Sequence, residues 1–224
     1  MRIVIVRGTG EPYGHNMIMD ALLGTAHELV ELQYPAQIMP IGWYTLGQSE
    51  QLGRQALATL DAEGVPWWGI GYSLGAMTLG DYVELDAPRN CLGVIQIADP
   101  LRAFNQVTNA GVDPRSWGCA GQRAITAVPW HSFAIPDDPI ASCPGVSGFR
   151  NIANMVTGLA QPTPETIVGL ADTMTEIERY LIGNPNPDLA DGFHLSRHCA
   201  YGVEAMSGTT QTYMQAVRAL VDAL

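Results

Sequence analysis

The residues best suited to chemistry in this sequence lie between Gly71 and Gly75, which read Gly-Tyr-Ser-Leu-Gly. This is the Gly-x-Ser-x-Gly pattern, in which a serine sits on a sharp turn between a strand and a helix. Glycines flank the serine because the neighbouring backbone approaches closely and a side chain would clash. Such a turn exposes the hydroxyl and directs unpaired N–H groups of the following helix toward an oxyanion. The pattern therefore predicts a nucleophilic serine, Ser73, and acyl-transfer chemistry.

The segments around the motif fit that interpretation. Residues 65–70 are apolar enough for a buried strand, and residues 76–85 have the composition of a helix. Because short patterns of glycine and serine also arise by chance, this strand–turn–helix setting is what makes the motif informative.

A serine hydroxyl needs a base to take its proton and an acid to orient that base. The candidate acids are Asp137 and Asp138, which follow the last predicted strand, and the candidate bases are His194 and His198, which precede the final helix. They follow Ser73 in the order Ser, Asp, His that one class of hydrolases uses. We favour Asp138, which precedes Pro-Ile, although a solvated turn would also explain both aspartates.

The two histidines are spaced as His-x-x-x-His, which on a helix would place two nitrogens on one metal ion. No glutamate follows the first histidine, and a loop-like Asp-Gly-Phe precedes it. We therefore expect no metal site here, and the predicted chemistry needs no cofactor.

The negative charge that develops in acyl transfer needs two hydrogen-bond donors. We expect one to be the backbone N–H of Leu74, directly after the nucleophile, and the other to come from the loop after the first strand. Thr9 is the candidate in that loop, through its N–H and its hydroxyl. The spacing of Arg7 and Glu11 predicts an ion pair that fixes the same loop.

The elements that must position these residues alternate between strands and helices, which predicts a doubly wound, mostly parallel sheet. The predicted strands lie at 2–6, 34–40, 65–70, 90–100 (ending in a turn) and 125–135, and the predicted helices lie at 17–30, 49–60, 76–85 and 210–224. Two further helices, at 151–159 and 163–181, predict an insertion over about residues 145–193. We expect it to be carried by a single domain of residues 1–224.

Composition excludes some classes of function. The 224 residues are 47% hydrophobic and 15% charged, with a net charge of −11. An acidic chain without basic patches argues against a nucleic-acid partner. No apolar run approaches the roughly 20 residues of a membrane span.

Two features of the sequence bear on the cellular compartment: its first residues and its cysteines. Residues 2–6 predict a strand, so we expect synthesis without a signal peptide. The four cysteines, Cys91, Cys119, Cys143 and Cys199, are widely spaced. Free thiols are favoured, and two disulfides remain open because the sequence does not choose a pairing.

With these residues in place, the chain resembles the cutinase-like serine esterases and, more closely, the lysin B enzymes of phages that infect mycobacteria and related actinobacteria. The matching segments occur in the family order and span most of the chain, at residues 7–12, 71–77, 98–102, 137–140 and 197–202. The His-x-x-Tyr of His198 and Tyr201 favours His198 over His194 as the base. Leu74, where members often carry Gln, and Asp137, where a small residue is usual, depart from the family without removing a catalytic atom.

The resemblance implies an α/β-hydrolase fold with a helical insertion between acid and base. It also implies hydrolysis of the ester that links mycolic acids to arabinogalactan, late in phage lysis, by an enzyme made in the host cytoplasm that acts at the envelope after release. We expect a monomer. An apolar substrate needs an apolar surface, for which Met155, Leu159 and Ile167 are candidates, although packing on the sheet would also explain them.

Two other functions fit the same residues. One is a cutinase or lipase that acts on other lipid esters, because the triad chemistry is shared and the substrate pocket would lie in the insertion. The other is a non-catalytic lipid-binding protein with a decayed hydrolase fold, which predicts a distorted triad.

Overall fold

The computed structural model describes residues 1–39, 42–147, 150 and 197–224. At its centre is a five-stranded sheet in the spatial order β2-β1-β3-β4-β5, in which every neighbouring pair of strands is parallel. The strands are β1 (Arg2–Val6), β2 (Glu28–Glu31), β3 (Trp67–Tyr72), β4 (Cys91–Ile97) and β5 (Trp130–Phe133). A two-stranded antiparallel ribbon pairs Ser116–Trp117 with Cys143–Pro144.

Helices cover both faces of the sheet. On one face are α1 (Met17–Leu22) and α4 (Tyr213–Asp222), and on the other are α2 (Leu46–Asp61) and α3 (Leu74–Asp81). A π-helical turn, Tyr82–Asp86, extends α3. Within the part of the chain that the structure describes, no helix is long and apolar enough to span a membrane.

The sequence of β1 explains why the sheet is covered on both sides. Ile3 and Ile5 point into the core shared with α1 and α4, and Val4 and Val6 point into the core shared with α2 and α3. All four are fully buried. A strand that is apolar on both faces is typical of a parallel sheet between two helical layers, so the doubly wound fold class is confirmed.

The predicted helix over residues 17–30 is wrong in its second half. The helix ends at Leu22, and Leu29 and Val30 instead lie in β2, opposite Ile3 and Val4. Gly24, with a φ of 80°, turns the chain in a conformation that glycine adopts readily. Leu29 and Val30 also fit a helical spacing, but pairing with β1 makes them part of a strand.

The predicted strand at 34–40 is also wrong. Over the described residues 34–39 the segment joins no strand of the sheet. Pro35 has no N–H to offer a neighbouring strand, and Ala36 has a φ of 51°, which is not extended backbone. Tyr34 and Ala36 are buried because they pack against α2, so burial here reflects a packed loop.

The last predicted strand, 125–135, is longer than the observed β5. Side chains take the backbone donors that would have continued it: the Ile125 N–H donates to Gln106 Oε1 at 2.7 Å. The N–H groups of Thr126 and Ala127 donate to Glu84 Oε1 at 2.6 and 2.9 Å. Because these donors are already satisfied, only Trp130–Phe133 pairs with β4.

The functional connections all leave the sheet at one edge. Val6 lies opposite Gly71, and Ile97 lies opposite Phe133, so the loops that follow β1, β3, β4 and β5 emerge together at the carboxyl ends of the strands, where open α/β sheets bind ligands. The insertion predicted at 145–193, with its helices, lies almost wholly outside the described residues. It stays a prediction, as does the single domain.

Candidate active site

Ser73 stands between β3 and α3 in a strained backbone conformation. Its φ of 54° and ψ of −120° lie where residues other than glycine are rare. A Cβ on Gly71 would lie 2.6 Å from the Ala76 Cα, and one on Gly75 would lie 1.9 Å from the Val6 carbonyl oxygen. Glycine is therefore required on both sides of the turn. The Ser73 side chain does not cap α3, which leaves the hydroxyl for other contacts.

His198 contacts that hydroxyl. Its Nε2 lies 2.8 Å from the Ser73 Oγ, the arrangement in which a neutral imidazole accepts the hydroxyl proton. His198 is buried and lies in the 3₁₀ helix Arg197–Gly202. The fold thus brings together two side chains that are 125 residues apart in sequence. The other candidate base, His194, lies outside the described residues.

Asp138 lies on the far side of the imidazole. Its two carboxylate oxygens are 3.2 and 3.0 Å from the His198 Nδ1, and its side chain is fully buried. Tyr201 donates its hydroxyl to Oδ2 at 2.7 Å, and the Ile140 N–H donates to Oδ1 at 2.9 Å. Burial opposes ionisation, but the nearby His198 and these donors outweigh it and lower the pKa of Asp138. The ionised carboxylate fixes the tautomer in which Nδ1 carries the proton and Nε2 faces the serine.

Two tyrosines hold His198 and Asp138 in place. The Tyr72 ring stacks on the His198 imidazole with centroids 5.2 Å apart, and its hydroxyl donates to the His198 carbonyl oxygen at 2.7 Å. The Tyr201 hydroxyl accepts from the Ile135 N–H at 3.0 Å while it donates to Asp138. Burial, followed by the Asp138 charge, raises the pKa of Tyr201 well above its usual value, so this phenol remains a donor.

An ion pair accompanies the histidine–aspartate contact. The Arg197 guanidinium binds the Asp137 carboxylate, with Nε 2.7 Å from Oδ1, and also binds Glu204, with Nη2 2.8 Å from Oε1. Arg197 directly precedes His198, and Asp137 directly precedes Asp138. Of the two candidate acids, Asp138 therefore faces the imidazole, and Asp137 is engaged by the arginine.

Arg102 holds the loop that carries Asp138. This arginine is almost fully buried. It donates from Nε to the Ala141 carbonyl oxygen at 2.6 Å and from Nη2 to the Ser116 carbonyl oxygen at 2.9 Å. The Ser142 N–H donates to the Asp138 carbonyl oxygen at 2.8 Å. These bonds fix the backbone after Asp138 and therefore the direction of its carboxylate.

Thr9 and Leu74 lie at the same edge of the sheet as the Ser73 hydroxyl. Thr9 follows β1, Leu74 begins α3, and β1 and β3 are neighbours. Within residues 1–39, 42–147, 150 and 197–224, the N–H groups of Thr9 and Leu74 have no backbone acceptor. N–H groups of this kind beside a serine suit an oxyanion, and the role of both residues stays a prediction.

The first loop is held by Glu11, but the predicted ion pair between Arg7 and Glu11 is wrong. The Glu11 carboxylate accepts from the Gly8 N–H at 2.6 Å and from the Met17 N–H at 3.1 Å. The Arg7 Nε instead donates to the Glu11 carbonyl oxygen at 3.0 Å, and its Nη1 lies 3.6 Å from the Glu31 carboxylate. The Glu11 carboxylate is therefore bound by backbone N–H groups, where the sequence predicted the Arg7 guanidinium.

Some predictions fall outside what the structure describes. The substrate residues Met155, Leu159 and Ile167 belong to the undescribed stretch and stay predictions. Among the cysteines, Cys91, Cys119 and Cys199 carry free thiols, and Cys143 is buried in a small apolar cluster with Cys119.

Sequence reasoning missed three supporting residues, Tyr72, Arg102 and Arg197. Tyr72 directly precedes Ser73 and Arg197 directly precedes His198, so position within the motifs was a usable signal for both. Arg102 reaches a carbonyl 39 residues further along the chain, a contact that depends on the fold.

No protein-family model matches this sequence, and no curated protein matches it. Among solved structures, it is similar to lysin B from mycobacteriophage D29, with a TM-score of 0.54 and 16% identity over 89% of this chain and 96% of that one. It is also similar to a cutinase-like protein from Cryptococcus sp., with a TM-score of 0.50 and 14% identity over 79% of this chain and 89% of that one. At such identities the likeness establishes the fold alone. This chain therefore has a cutinase-like α/β-hydrolase fold.

Proposed function

We propose that this protein is a serine esterase that hydrolyses the ester bond between mycolic acids and arabinogalactan in the mycobacterial-type cell envelope. It would be made in the cytoplasm of an infected host and act on the envelope, as a monomer, during phage-induced lysis. The contact of 2.8 Å between Ser73 Oγ and His198 Nε2 carries the esterase part of the proposal. The sequence motifs, together with a fold similar to that of lysin B, support the choice of substrate.

In the first step, Ser73 Oγ attacks the acyl carbonyl carbon while His198 Nε2 takes the hydroxyl proton. Asp138 stabilises the imidazolium that results. The carbonyl oxygen becomes an oxyanion, and the N–H groups of Thr9 and Leu74 stabilise it.

In the second step, His198 donates the proton from Nε2 to the sugar oxygen as the ester C–O bond breaks. The arabinogalactan alcohol leaves, and the acyl group stays on Ser73. A water molecule, deprotonated by His198, then attacks the acyl carbon, so that the fatty acid is released and Ser73 recovers its proton. This reaction class requires no cofactor.

The test of the esterase is the variant Ser73→Ala, assayed on a p-nitrophenyl ester. We expect kcat to fall by about 10⁴- to 10⁶-fold, as in dissected triads, whereas Ser207→Ala, at an exposed serine, keeps wild-type turnover. A fluorophosphonate should add mass at Ser73 in the wild-type protein. Near-normal turnover by Ser73→Ala would contradict the proposal, and the absence of an adduct would favour a non-catalytic lipid-binding protein.

A second candidate is a cutinase- or lipase-like enzyme that acts on other lipid esters, which the likeness to the Cryptococcus protein favours. Release of free mycolic acid from purified mycobacterial cell wall, compared with hydrolysis of tributyrin, separates the two. Mycolic acid release supports the envelope substrate. Tributyrin hydrolysis without mycolic acid release supports the second candidate.

A further inference from the structure

A turn beside the candidate active site exposes three large apolar side chains. Trp43 is 89% exposed, Met39 53% and Tyr44 39%. The described residues 36–39 and 42–45, which we call the Trp43 turn, belong to the connection between β2 and α2. The Gly10 N–H donates to the Ala36 carbonyl oxygen at 2.9 Å, so the turn adjoins the loop that carries Thr9. Clustered apolar exposure next to a site marks an interaction surface.

Specific contacts hold Trp43 in water. The backbone N–H of Trp43 donates to Gln37 Oε1 at 2.9 Å, and the backbone N–H of Met39 donates to the Tyr44 carbonyl oxygen at 2.9 Å. Gly42 has a φ of 100°, and a Cβ there would lie 2.4 Å from the Gln37 side chain. Glycine is therefore needed at this position. These contacts fix the backbone of the described residues of the turn, with the Trp43 side chain exposed to solvent.

The sequence around the turn carries no charge. From Leu32 to Ser49 there is no Asp, Glu, Lys or Arg, in a chain with a net charge of −11. A charged protein partner would find nothing to pair with on this surface, and an anionic lipid layer would be repelled by the rest of the chain. An uncharged lipid layer meets neither obstacle. Tryptophan and tyrosine suit its boundary with water, because each combines an apolar ring with a polar group.

We propose that the Trp43 turn docks the protein on the surface of an uncharged lipid layer and so presents the Ser73 edge of the sheet to the esters in that layer. The connection that contains the turn leaves β2 at the same edge at which β3 delivers Ser73. Tyr13, 52% exposed on the neighbouring loop, extends the contact. This inference rests on the proposed function, in which the ester belongs to a lipid assembly.

The variant Trp43→Ser tests the docking surface, and Leu85→Ser is its matched control. Leu85 is 66% exposed and lies in the π-helical turn that leads to the opposite edge of the sheet, where β4 begins. With a water-soluble p-nitrophenyl ester, Leu85→Ser keeps wild-type turnover, and so does Trp43→Ser because no lipid surface is involved. With an emulsified long-chain ester, Trp43→Ser is about tenfold slower than wild type, since apolar ring area no longer leaves water, and Leu85→Ser is unchanged.

Flotation with phosphatidylcholine vesicles measures docking without catalysis. We expect the wild-type protein and Leu85→Ser to float with the vesicles and Trp43→Ser to bind about tenfold more weakly. Equal flotation and equal emulsion hydrolysis by Trp43→Ser and wild type would overturn the proposal. So would stronger binding when phosphatidylglycerol is added, or a wild-type dimer that Trp43→Ser dissociates without any change in vesicle binding.

The two proposals fail in different ways. If the wild-type protein floats with vesicles through Trp43 but hydrolyses no soluble ester, the proposed function is wrong and the docking surface stands. If the wild-type protein hydrolyses soluble esters but does not bind vesicles, the proposed docking surface is wrong and the proposed esterase function stands.

Discussion

Arg197 binds Asp137, so an ion pair between the residues that directly precede His198 and Asp138 runs beside the His198–Asp138 contact. The 3₁₀ helix is therefore joined to the acid loop at two adjacent positions. Two contacts restrict rotation of one segment against the other, which a single contact would allow. We infer that Arg197 and Asp137 act as positioning residues for the imidazole.

Removing this link should slow the reaction without weakening substrate binding. For Asp137→Asn we expect kcat on a soluble ester to fall about tenfold with little change in KM, because misplacing a catalytic group by a fraction of an ångström affects the transition state. The control is Glu204→Gln, which removes the other partner of Arg197 but leaves the link to the acid loop, and it should retain most of the activity. Equal losses in the two variants would contradict a specific role for the link between Arg197 and Asp137.

Tyr201 and Tyr213 form a matched pair for testing how much the hydrogen bond from Tyr201 to Asp138 contributes. Their rings are in edge contact, with centroids 5.2 Å apart. Tyr201→Phe removes the bond to Asp138 and leaves the Ile135 N–H unpaired, so we expect a loss of about 1–3 kcal/mol in the free energy of unfolding and a lower kcat. The Tyr213 hydroxyl is buried, with no partner in the described part of the chain, so Tyr213→Phe should be neutral or stabilising. Urea denaturation and steady-state kinetics measure both effects, and equal destabilisation by the two variants would refute this account.

Gly75 and Gly47 differ in the space around them. In Gly75→Ala the new methyl group would overlap the Val6 carbonyl oxygen, so we expect a loss of about 3 kcal/mol or more in the free energy of unfolding and loss of activity. Gly47 lies in α2 with nothing within 4 Å of a Cβ, and Gly47→Ala should stabilise by about 0.5–1 kcal/mol. Thermal unfolding of the two variants measures whether Gly75→Ala is destabilised and Gly47→Ala is stabilised. A stable, active Gly75→Ala would mean that the turn can relax.

The raised pKa of Glu50 predicts that the stability of the fold depends on pH. Burial first, then the charge of Asp81 and a hydrogen bond with it, raises the pKa of Glu50 from 4.5 to about 7. In the folded state Glu50 therefore keeps a proton that the unfolded chain releases above pH 4.5. Its contribution to stability is fully present below that pH and is lost as the pH rises toward 7. We expect Glu50→Gln to gain stability over wild type as the pH is raised from 5 to 8. Unfolding free energies measured at both pH values provide the check, and a difference that does not change with pH would refute the assignment.

The parts of this protein that depend on short stretches of sequence were predictable. β1 is apolar on both faces, the glycines around Ser73 specify a sharp turn, and Ser73, Asp138 and His198, which the fold brings into contact, follow one another in the predicted order. The limits of β2 and β5 were not predictable, because pairing with β1 and side chains from Gln106 and Glu84 decide where those strands begin and end. Local pattern cannot report contacts made across the fold.

The same distinction applies to the site. Ser73, Asp138 and His198 could be picked out by residue type and spacing. The residues that hold them in place could be identified only from their contacts in the fold. Arg7 shows the difference: its spacing from Glu11 suggested a salt bridge, but in the fold the backbone N–H groups of Gly8 and Met17 compete for that carboxylate and occupy it.

Because Arg197 contacts Asp137 and His198 contacts Asp138, the two ends of the stretch between these pairs are held together beside Ser73. Since the entropy of closing a chain grows only slowly with the length that is closed, we expect these contacts to persist when residues 151–196 are lengthened or trimmed, provided that Ile140, Ala141 and Ser142 are kept to hold Asp138. Grafting foreign segments there would therefore test whether this stretch sets the acyl preference, with Ser73, Asp138 and His198 left in contact.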